Sequence, residues 1–385
     1  MKLADFTQDM PGKLVSIQDG HKAFVPYPLP PKINLDMTSI KILSEAERAL
    51  GHLGGVGKRL PNPHLLVGPF LQREAVLSSR IEGTIASLQQ LLLFDAEASR
   101  GSEEQDVKEV HNYVEAMNFG LKRLKEIPVS LRLIRELHQR LMSGVRGQEK
   151  RPGEFRNIQN AIGQIGRPIQ EARFIPPPAP EMKIALDMFE KYLHASSDLP
   201  LLVKLALIHY QFETIHPFVD GNGRIGRLLI ILLLCEWGLL PVPLLYLSAF
   251  FERNRDKYVN SLYRVNTSAM WSDWINFFLE GIKEQSSDAI KRSDKLLHLW
   301  ENYRRKLQSK RTSTVILQLI DELFAWPAIS IPLAAKELKV TRRAAELNVD
   351  KLIDLGILKE ATGRRRNRVF IAPEIIRIIE AESMD

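Results

Sequence analysis

Along most of the chain apolar residues recur every three to four positions, the spacing of a helix with one buried face rather than the alternation of a strand. That pattern predicts helices over 38–50, 69–79, 84–93, 103–125, 131–143, 181–194, 200–214, 224–237, 248–262 and 271–295. Gly51, Gly54, Gly55 and Gly57 read as the end of the first, because glycine favours helix exits. Ser130 and Gly144 frame the 131–143 helix as N-cap and stop. Two stretches break the helical period. Before residue 35, Pro26, Pro28, Pro30 and Pro31 lie too close together for a helix and predict extended chain. Between 150 and 180 Gly, Pro and Asn dominate, and Arg173-Phe174-Ile175 ahead of three prolines reads as a strand or hairpin arm.

Past residue 311 the pattern changes. Helices are expected over 312–324, 333–338 and 341–355, followed by two strands at 356–358 and 368–371 around a basic turn. Helix, helix–turn–helix and hairpin in that order predict a winged helix. The fold class expected is mainly α: a helical core with a β-hairpin flap, plus a C-terminal winged-helix domain. The division expected is an N-terminal helical region over 1–100, a core over 101–295, a charged, flexible linker over 296–311, and the winged helix over 312–385.

Composition narrows the setting. Of 385 residues, 45% are hydrophobic and 26% charged, enough for real cores and too apolar for a disordered chain. Cys235 is the only cysteine, which excludes an internal disulfide or a cysteine zinc cluster and fits a reducing cytosol. The first residues lack a signal peptide's apolar run. The most apolar stretch, 228–251, is interrupted by Glu236, Pro241 and Pro243 before it could span a bilayer. A soluble, cytoplasmic protein with no membrane partner is expected. The net charge of +7 suggests nucleic acid, yet residues 312–385 carry eleven basic and eleven acidic residues and net to zero. The excess lies upstream, partly at Arg304, Arg305, Lys306, Lys310 and Arg311. A DNA partner therefore rests on local patches: Arg342 and Arg343 after Thr341, and the arginines of 364–368 in the wing.

The chemistry concentrates in 216–227, HPFVDGNGRIGR. Its letters contain G-x-G-x-x-G, but that dinucleotide fingerprint needs a strand before it, and 201–214 reads as a helix. His209, Glu213 and His216 likewise miss the H-E-x-x-H spacing of a zinc site. What remains is a tight loop ending at a helix N-terminus. Gly221 and Gly223 let backbone amides face an anion. Arg224 and Arg227, three apart, share a helical face above them and suit a polyphosphate. Asp220 offers oxygen to a phosphate-bridging Mg²⁺, and His216 has the pKa range to deprotonate a hydroxyl. A capped loop with a core histidine and two solvated arginines is the alternative reading.

The segment resembles, at every defined position, the signature H-P-F-x-[DE]-G-N-G-R-x-x-R of Fic-domain proteins. The resemblance implies a helical core that transfers AMP from ATP-Mg to a Ser, Thr or Tyr hydroxyl of a target protein. It implies His216 as general base and Asp220 as Mg²⁺ ligand. Gly221, Asn222 and Gly223 would form the anion hole, with Arg224 and Arg227 on the distal phosphates. The related Doc toxins, which phosphorylate, carry a changed anion loop; Gly-Asn-Gly-Arg is the adenylylating form. Residues 78–83, SSRIEG, resemble the family's inhibitory motif, which implies Ser78 and Glu82 as its marked positions and Glu82 as a rival of the γ-phosphate for Arg227. Arg173, Phe174 and Ile175 fall where the family has a flap that binds target backbone by strand addition. Asn254 and Tyr258 resemble the ribose- and adenine-contacting segment, although many relatives have adjacent tyrosines where this chain has Tyr258-Val259. Two other functions stay open at this point: a DNA-binding regulator whose core senses nucleotide, and an enzyme that uses Glu82 to remove AMP. A homodimer also stays open.

Overall fold

Helical spacing in the sequence carries through to the chain. Residues 1–59, 64–96, 105–145, 151–163, 168–308 and 313–381 are described by a computed structural model. Among them the helices are α1 (Met37–Arg59), α2 (His64–Ile81), α3 (Leu88–Ala96), α4 (Gln105–Arg123), α5 (Leu131–Leu141), α6 (Ala179–His194), α7 (Leu201–Ile215), α8 (Asn222–Glu236), α9 (Ser248–Arg253), α10 (Arg255–Ser268), α11 (Trp271–Gln308), α12 (Thr314–Ala325), α13 (Ile331–Glu337), α14 (Arg342–Asp354) and α15 (Pro373–Glu380). The strands are β1 (Gly12–Ser16), β2 (Lys22–Pro26), β3 (Ala328–Ser330), β4 (Lys359–Glu360) and β5 (Val369–Ile371). No helix among the described residues is long and apolar enough to cross a membrane. The chain divides into two compact units, one of residues 1–50, 115–239 and 247–284, the other of 51–114, 240–246 and 285–385.

The first unit is built around α7 and α8. Every residue of α7 except Leu201 and Glu213 is buried, so this helix is enclosed on all sides, as a central helix must be. Burying each large aliphatic side chain contributes about 1.5–3 kcal/mol. Gly226 lets α8 close on α7, since a β-carbon there would collide with the Glu213 carboxylate. The indole N–H of Trp274 donates to the Ala206 carbonyl at 2.9 Å, pinning the start of α11 to α7. Strands β1 and β2 form an antiparallel hairpin with Leu14 opposite Phe24. The Phe24 N–H then donates to the Ile175 carbonyl at 2.9 Å, so this hairpin backs the segment expected to be the flap.

The second unit holds the winged helix. Its three-stranded sheet runs β3-β5-β4, with α13 and α14 as the helix–turn–helix pair. Helix α2 packs along α12, where a β-carbon at Gly68 would collide with the Ala325 carbonyl and Gln72 Nε2 donates to that same carbonyl at 3.4 Å. The turn after α2 is closed by Glu82 and Thr84 N–H groups donating to Ser79 O, both at 3.1 Å.

Several expectations change. Helix α1 runs through the glycines read as its end, because Gly57 abuts Val242, whose Cγ2 would lie 2.9 Å from an added β-carbon; close packing outweighs glycine's low helix propensity. The helix expected over 248–262 breaks into α9 and α10 at Asn254. Residues 296–308, read as flexible linker, continue α11. Their polar groups have partners: Trp300 Nε1 and Arg304 reach Asp321 at 2.6 and 3.0 Å, and Tyr303 donates to Glu374 at 2.5 Å. Lys310, Arg311 and the boundary near residue 100 lie outside the described residues.

Arg292, 1% exposed, binds Asp288 through Nε at 2.7 Å and donates to the Ile378, Ile379 and Ala381 carbonyls at the end of α15. Arg292→Met leaves those carbonyls and Asp288 without this cation. Stability is expected to fall by about 2–3 kcal/mol, read as a lower urea midpoint at unchanged slope.

Candidate active site

Helix α7 ends at His216 because Pro217 follows. His216 takes left-handed backbone angles, φ 51 and ψ 60, while its N–H closes on Phe212 O at 3.0 Å. A β-carbon in that region costs about 1–2 kcal/mol, so the conformation persists only where neighbours hold it. Ring atom Nδ1 lies 3.3 Å from the Glu213 carbonyl. A carbonyl only accepts, so Nδ1 carries the proton and the lone pair resides on Nε2.

The loop then closes on itself. Asn222 Oδ1 accepts from the Phe218 N–H and Nδ2 donates back to the Phe218 carbonyl, both at 2.8 Å. The Asn222 side chain is therefore a loop staple, and any part it takes in holding an anion falls to its backbone amide. Gly221, at φ 76, is the N-cap of α8. Without a side chain it leaves the first amides of the helix for a ligand.

Arg224 and Arg227 are 4% and 2% exposed, which removes the solvated-arginine reading. Two guanidiniums within the first turns of a helix add to the positive end of its dipole instead of offsetting it. Such a cluster suits an anion of high charge. Asp220, its side chain 40% exposed, accepts from the Gly221 N–H at 2.6 Å and lies 3.7 Å from the Arg224 guanidinium. No group of three or more His, Cys, Asp or Glu side chains among the described residues could by itself hold a metal. One carboxylate fits Mg²⁺, which usually completes its shell with water and phosphate oxygens.

Around this loop stand three residues that the motif reading missed. His138 on α5 stacks on Phe218 with ring centroids 3.7 Å apart and 6° between planes. Its Nδ1 accepts from the Gly153 N–H at 2.8 Å, so Nε2 carries the proton and donates to the Asp220 carbonyl at 3.0 Å. Asn160 donates to the Phe218 carbonyl at 3.1 Å, and Arg156 donates to that of His216 at 2.8 Å. The one sequence signal for His138 is a polar residue on the apolar stripe of α5, beside Ile134, Leu137 and Leu141.

The other sequence candidates fall in different places. Phe174 pairs with Ile162 as an antiparallel bridge, N–H to O at 3.1 and 2.8 Å. Residues 164–167 lie outside the described residues. Arg173 reaches Asn260 and lies over the Tyr263 ring, while Ile175 is buried. Asn254, half-buried, bonds back to the Phe250 carbonyl at 2.9 Å in the α9–α10 break. Tyr258 is 4% exposed, stacks on Phe251 at 4.4 Å and donates to His209 Nε2 at 2.8 Å; its ring belongs to the core. Ser78 and Glu82 belong to the second unit.

Family models match along the chain in three blocks: the Fic/DOC family N-terminal domain over 40–122, the Fic/DOC family domain over 128–234 and an HTH DNA binding domain over 316–370. The chain carries Fic/DOC family domains. The Fic block contains the whole loop of 216–227 and its neighbours His138, Arg156 and Asn160. A protein adenylyltransferase Fic from Drosophila sechellia is 33% identical over 163 residues, covering 40% of this chain and 30% of that protein. The chain thus aligns with about a third of the length of the curated relative. A crystal structure of a Fic family protein from Desulfovibrio desulfuricans superposes with a TM-score of 0.57 at 18% identity, over 89% of this chain and 98% of that one. A Fic domain containing signaling protein from Bacteroides thetaiotaomicron gives 0.51 at 21% identity, over 67% and 97%. These two likenesses bear on the fold.

Burial pulls the pKa of His138 down to about 4 and that of His209 to about 3, with Arg224 and Arg227 adding to the respective shifts. Unfolded, both rings titrate near 6.5. Below pH 6.5 the unfolded chain therefore binds more protons than the Fic fold, and stability falls as pH falls towards those values. Urea unfolding between pH 6 and 4.5 is expected to show this loss, with His138→Gln reducing its slope by up to about 1.4 kcal/mol per pH unit.

Proposed function

We propose that this chain is a self-inhibited protein adenylyltransferase, transferring AMP from ATP to a Ser, Thr or Tyr hydroxyl of a target protein and of itself. The observation that carries the reading is the loop of 216–227. It carries a histidine whose Nδ1 lies against the Glu213 carbonyl, followed by two arginines buried in the first turns of a helix, and that combination supports the reading. Sequence likeness to proteins named protein adenylyltransferase supports the same chemistry.

In this reading His216 Nε2 accepts the proton of the target hydroxyl as its oxygen attacks the α-phosphorus. The bond to the β-phosphate oxygen breaks opposite, and pyrophosphate leaves. Arg224, Arg227 and the first amides of α8 hold the distal phosphates and take up charge as that bond breaks. Asp220 would hold Mg²⁺, which would supply positive charge to offset that of the phosphates. Asn254 is the candidate for the ribose end. The flap segment of Arg173, Phe174 and Ile175 would fix the target backbone near His216. Glu82 is the inhibitory carboxylate in this scheme: by competing with the γ-phosphate for Arg227 it leaves the α-phosphorus out of line, and alignment is worth up to ~7–11 kcal/mol in such reactions. A reducing cytoplasm, with its ATP, suits a chain with one cysteine.

The match over 316–370 supports a second activity, DNA binding. Arg342 and Arg343 at the start of α14 and Arg364, Arg365, Arg366 and Arg368 in the wing are exposed, as phosphate contacts must be.

One experiment tests the reading: full-length wild type, Glu82→Gly, His216→Ala and Asp220→Ala, each incubated with α-labelled or γ-labelled ATP. Protein should take label from α-labelled ATP only. Glu82→Gly should raise it at least about tenfold, ~1.4 kcal/mol of barrier. His216→Ala should abolish it, and Asp220→Ala should demand far more Mg²⁺. Label from γ-labelled ATP would make the protein a kinase. Wild-type labelling by His216→Ala would remove the base assignment.

A further inference from the structure

Arg156 is 2% exposed and lies in the first unit, on the segment that leads into the flap. Its N–H and guanidinium donate to five main-chain carbonyls on three segments. The backbone N–H reaches Pro217 O at 2.9 Å. Nε reaches His216 O at 2.8 Å, and one terminal nitrogen reaches Ile215 O at 3.3 Å and Pro177 O at 2.6 Å. The other reaches Ile158 O at 3.0 Å. Ile158 and Pro177 flank the Ile162–Phe174 bridge, one on each arm. No carboxylate takes part in these bonds. A guanidinium placed to neutralise charge would face an acid; this one spans neutral carbonyls, a task suited to its rigid planar fork.

We propose that Arg156 is a positioning residue for transfer: it holds the left-handed backbone of His216 in fixed relation to both arms of the flap, and so sets the general base against the bound target segment. The inference rests on the proposed roles of His216 and the flap. It explains how a strained histidine keeps one orientation. It also explains how the described stretches on either side of the Ile162–Phe174 bridge are tied together at Ile158 and Pro177. Lysine cannot replace the fork, because a single nitrogen cannot serve carbonyls on both arms and on His216 together. Burial brings the Arg156 pKa down to about 10, so the side chain remains charged at neutral pH. A shift of the base by about 1 Å can cost on the order of a hundredfold in such reactions.

The test uses the full chain carrying Glu82→Gly, with Arg156→Lys, Arg156→Ala and His216→Ala made in that background. Self-labelling from α-labelled ATP should fall at least about tenfold in both Arg156 variants. The ATP dissociation constant should stay within about threefold, since α8 and its arginines are untouched. Added guanidinium should restore part of the Arg156→Ala rate and none of the His216→Ala rate. Independently of turnover, the ring NMR signal of His216 should shift in Arg156→Lys while that of His209 stays. Labelling within twofold of the parent in a folded variant, an unmoved His216 signal, or a loss that only follows unfolding would each overturn the proposal. Full labelling by His216→Ala would instead sink the base assignment.

A separate contact lies in the second unit. Helix α2, which carries Ser78 and leads into Glu82, packs on α12, the first helix of the winged-helix domain, with Gly68 and Gln72 against the Ala325 carbonyl. We infer that the winged helix holds the inhibitory segment in place, so that loosening α12 relieves inhibition; this rests on the inhibitory reading of Glu82. Gly68→Ala forces a β-carbon into the Ala325 carbonyl, and Gln72→Leu removes the bond to it more gently. Each should raise self-labelling at least about fivefold, and neither should add to Glu82→Gly. If Glu82→Gly activates and both interface variants do not, the coupling fails alone. If Glu82→Gly does not activate, the inhibitory reading fails and the coupling with it.

Discussion

Positive charge buried at the start of α8 is the constraint from which the loop of 216–227 and its surroundings follow. Arg224 and Arg227 lie almost wholly out of water at the end of a helix where the dipole is already positive. Placing cations there is unfavourable unless anionic groups face them. Asp220 at 3.7 Å from Arg224 supplies part of that anionic environment, and at 40% exposure it stays open to a cation from solvent. A glycine N-cap leaves the helix amides on the same side. The two guanidiniums and the first amides of α8 therefore favour a dense negative ligand.

The loop's shape is fixed by groups that carry no net charge at neutral pH or that meet only carbonyls. Asn222 bonds both main-chain groups of Phe218, Asn160 reaches the same carbonyl, and His138 supports Phe218 from below while holding Asp220 O. His138 is kept neutral by burial. This separation matters chemically. If the scaffold titrated near neutrality, the backbone that holds His216 would change with it. Staples that stay neutral hold that backbone in one arrangement as pH changes.

How much of this was legible from sequence depends on chain distance. The motif residues lie within twelve positions, and one local pattern displays them together. His138, Arg156 and Asn160 approach the loop from 58 to 82 residues away, and nothing local marks them except a polar residue on an apolar stripe. Burial was equally hidden: three-residue spacing puts Arg224 and Arg227 on one face but cannot say whether that face meets water. Tyr258 shows the converse, an aromatic whose helical spacing is compatible with both ligand and core and which packing places in the core. In the tail the helix–turn–helix was readable from the order of its elements, whereas β3, three residues long, carries too little pattern to stand out. Glycines in α1 and charges in α11 misled for one reason: contacts from distant chain overrode a local preference.

The winged helix is the element whose standing changes most between sequence and structure. A charged stretch before a neutral domain suggests a flexible tether. Instead α11 runs unbroken to Gln308, Tyr303 and Leu307 are buried, and Arg292 binds the end of α15. A chain cut near residue 290 would end inside α11 and remove α12 from α2, exposing the face of α2 that leads to Glu82. In a compact unit of this kind, local stability is shared among the packed elements. A ligand can shift the position of α2 only if it binds the winged helix with different affinity in the two arrangements. The exposed arginines of α14 and the wing are where such a ligand would act, and Gly68 against Ala325 is where its effect would reach the helix that bears Ser78.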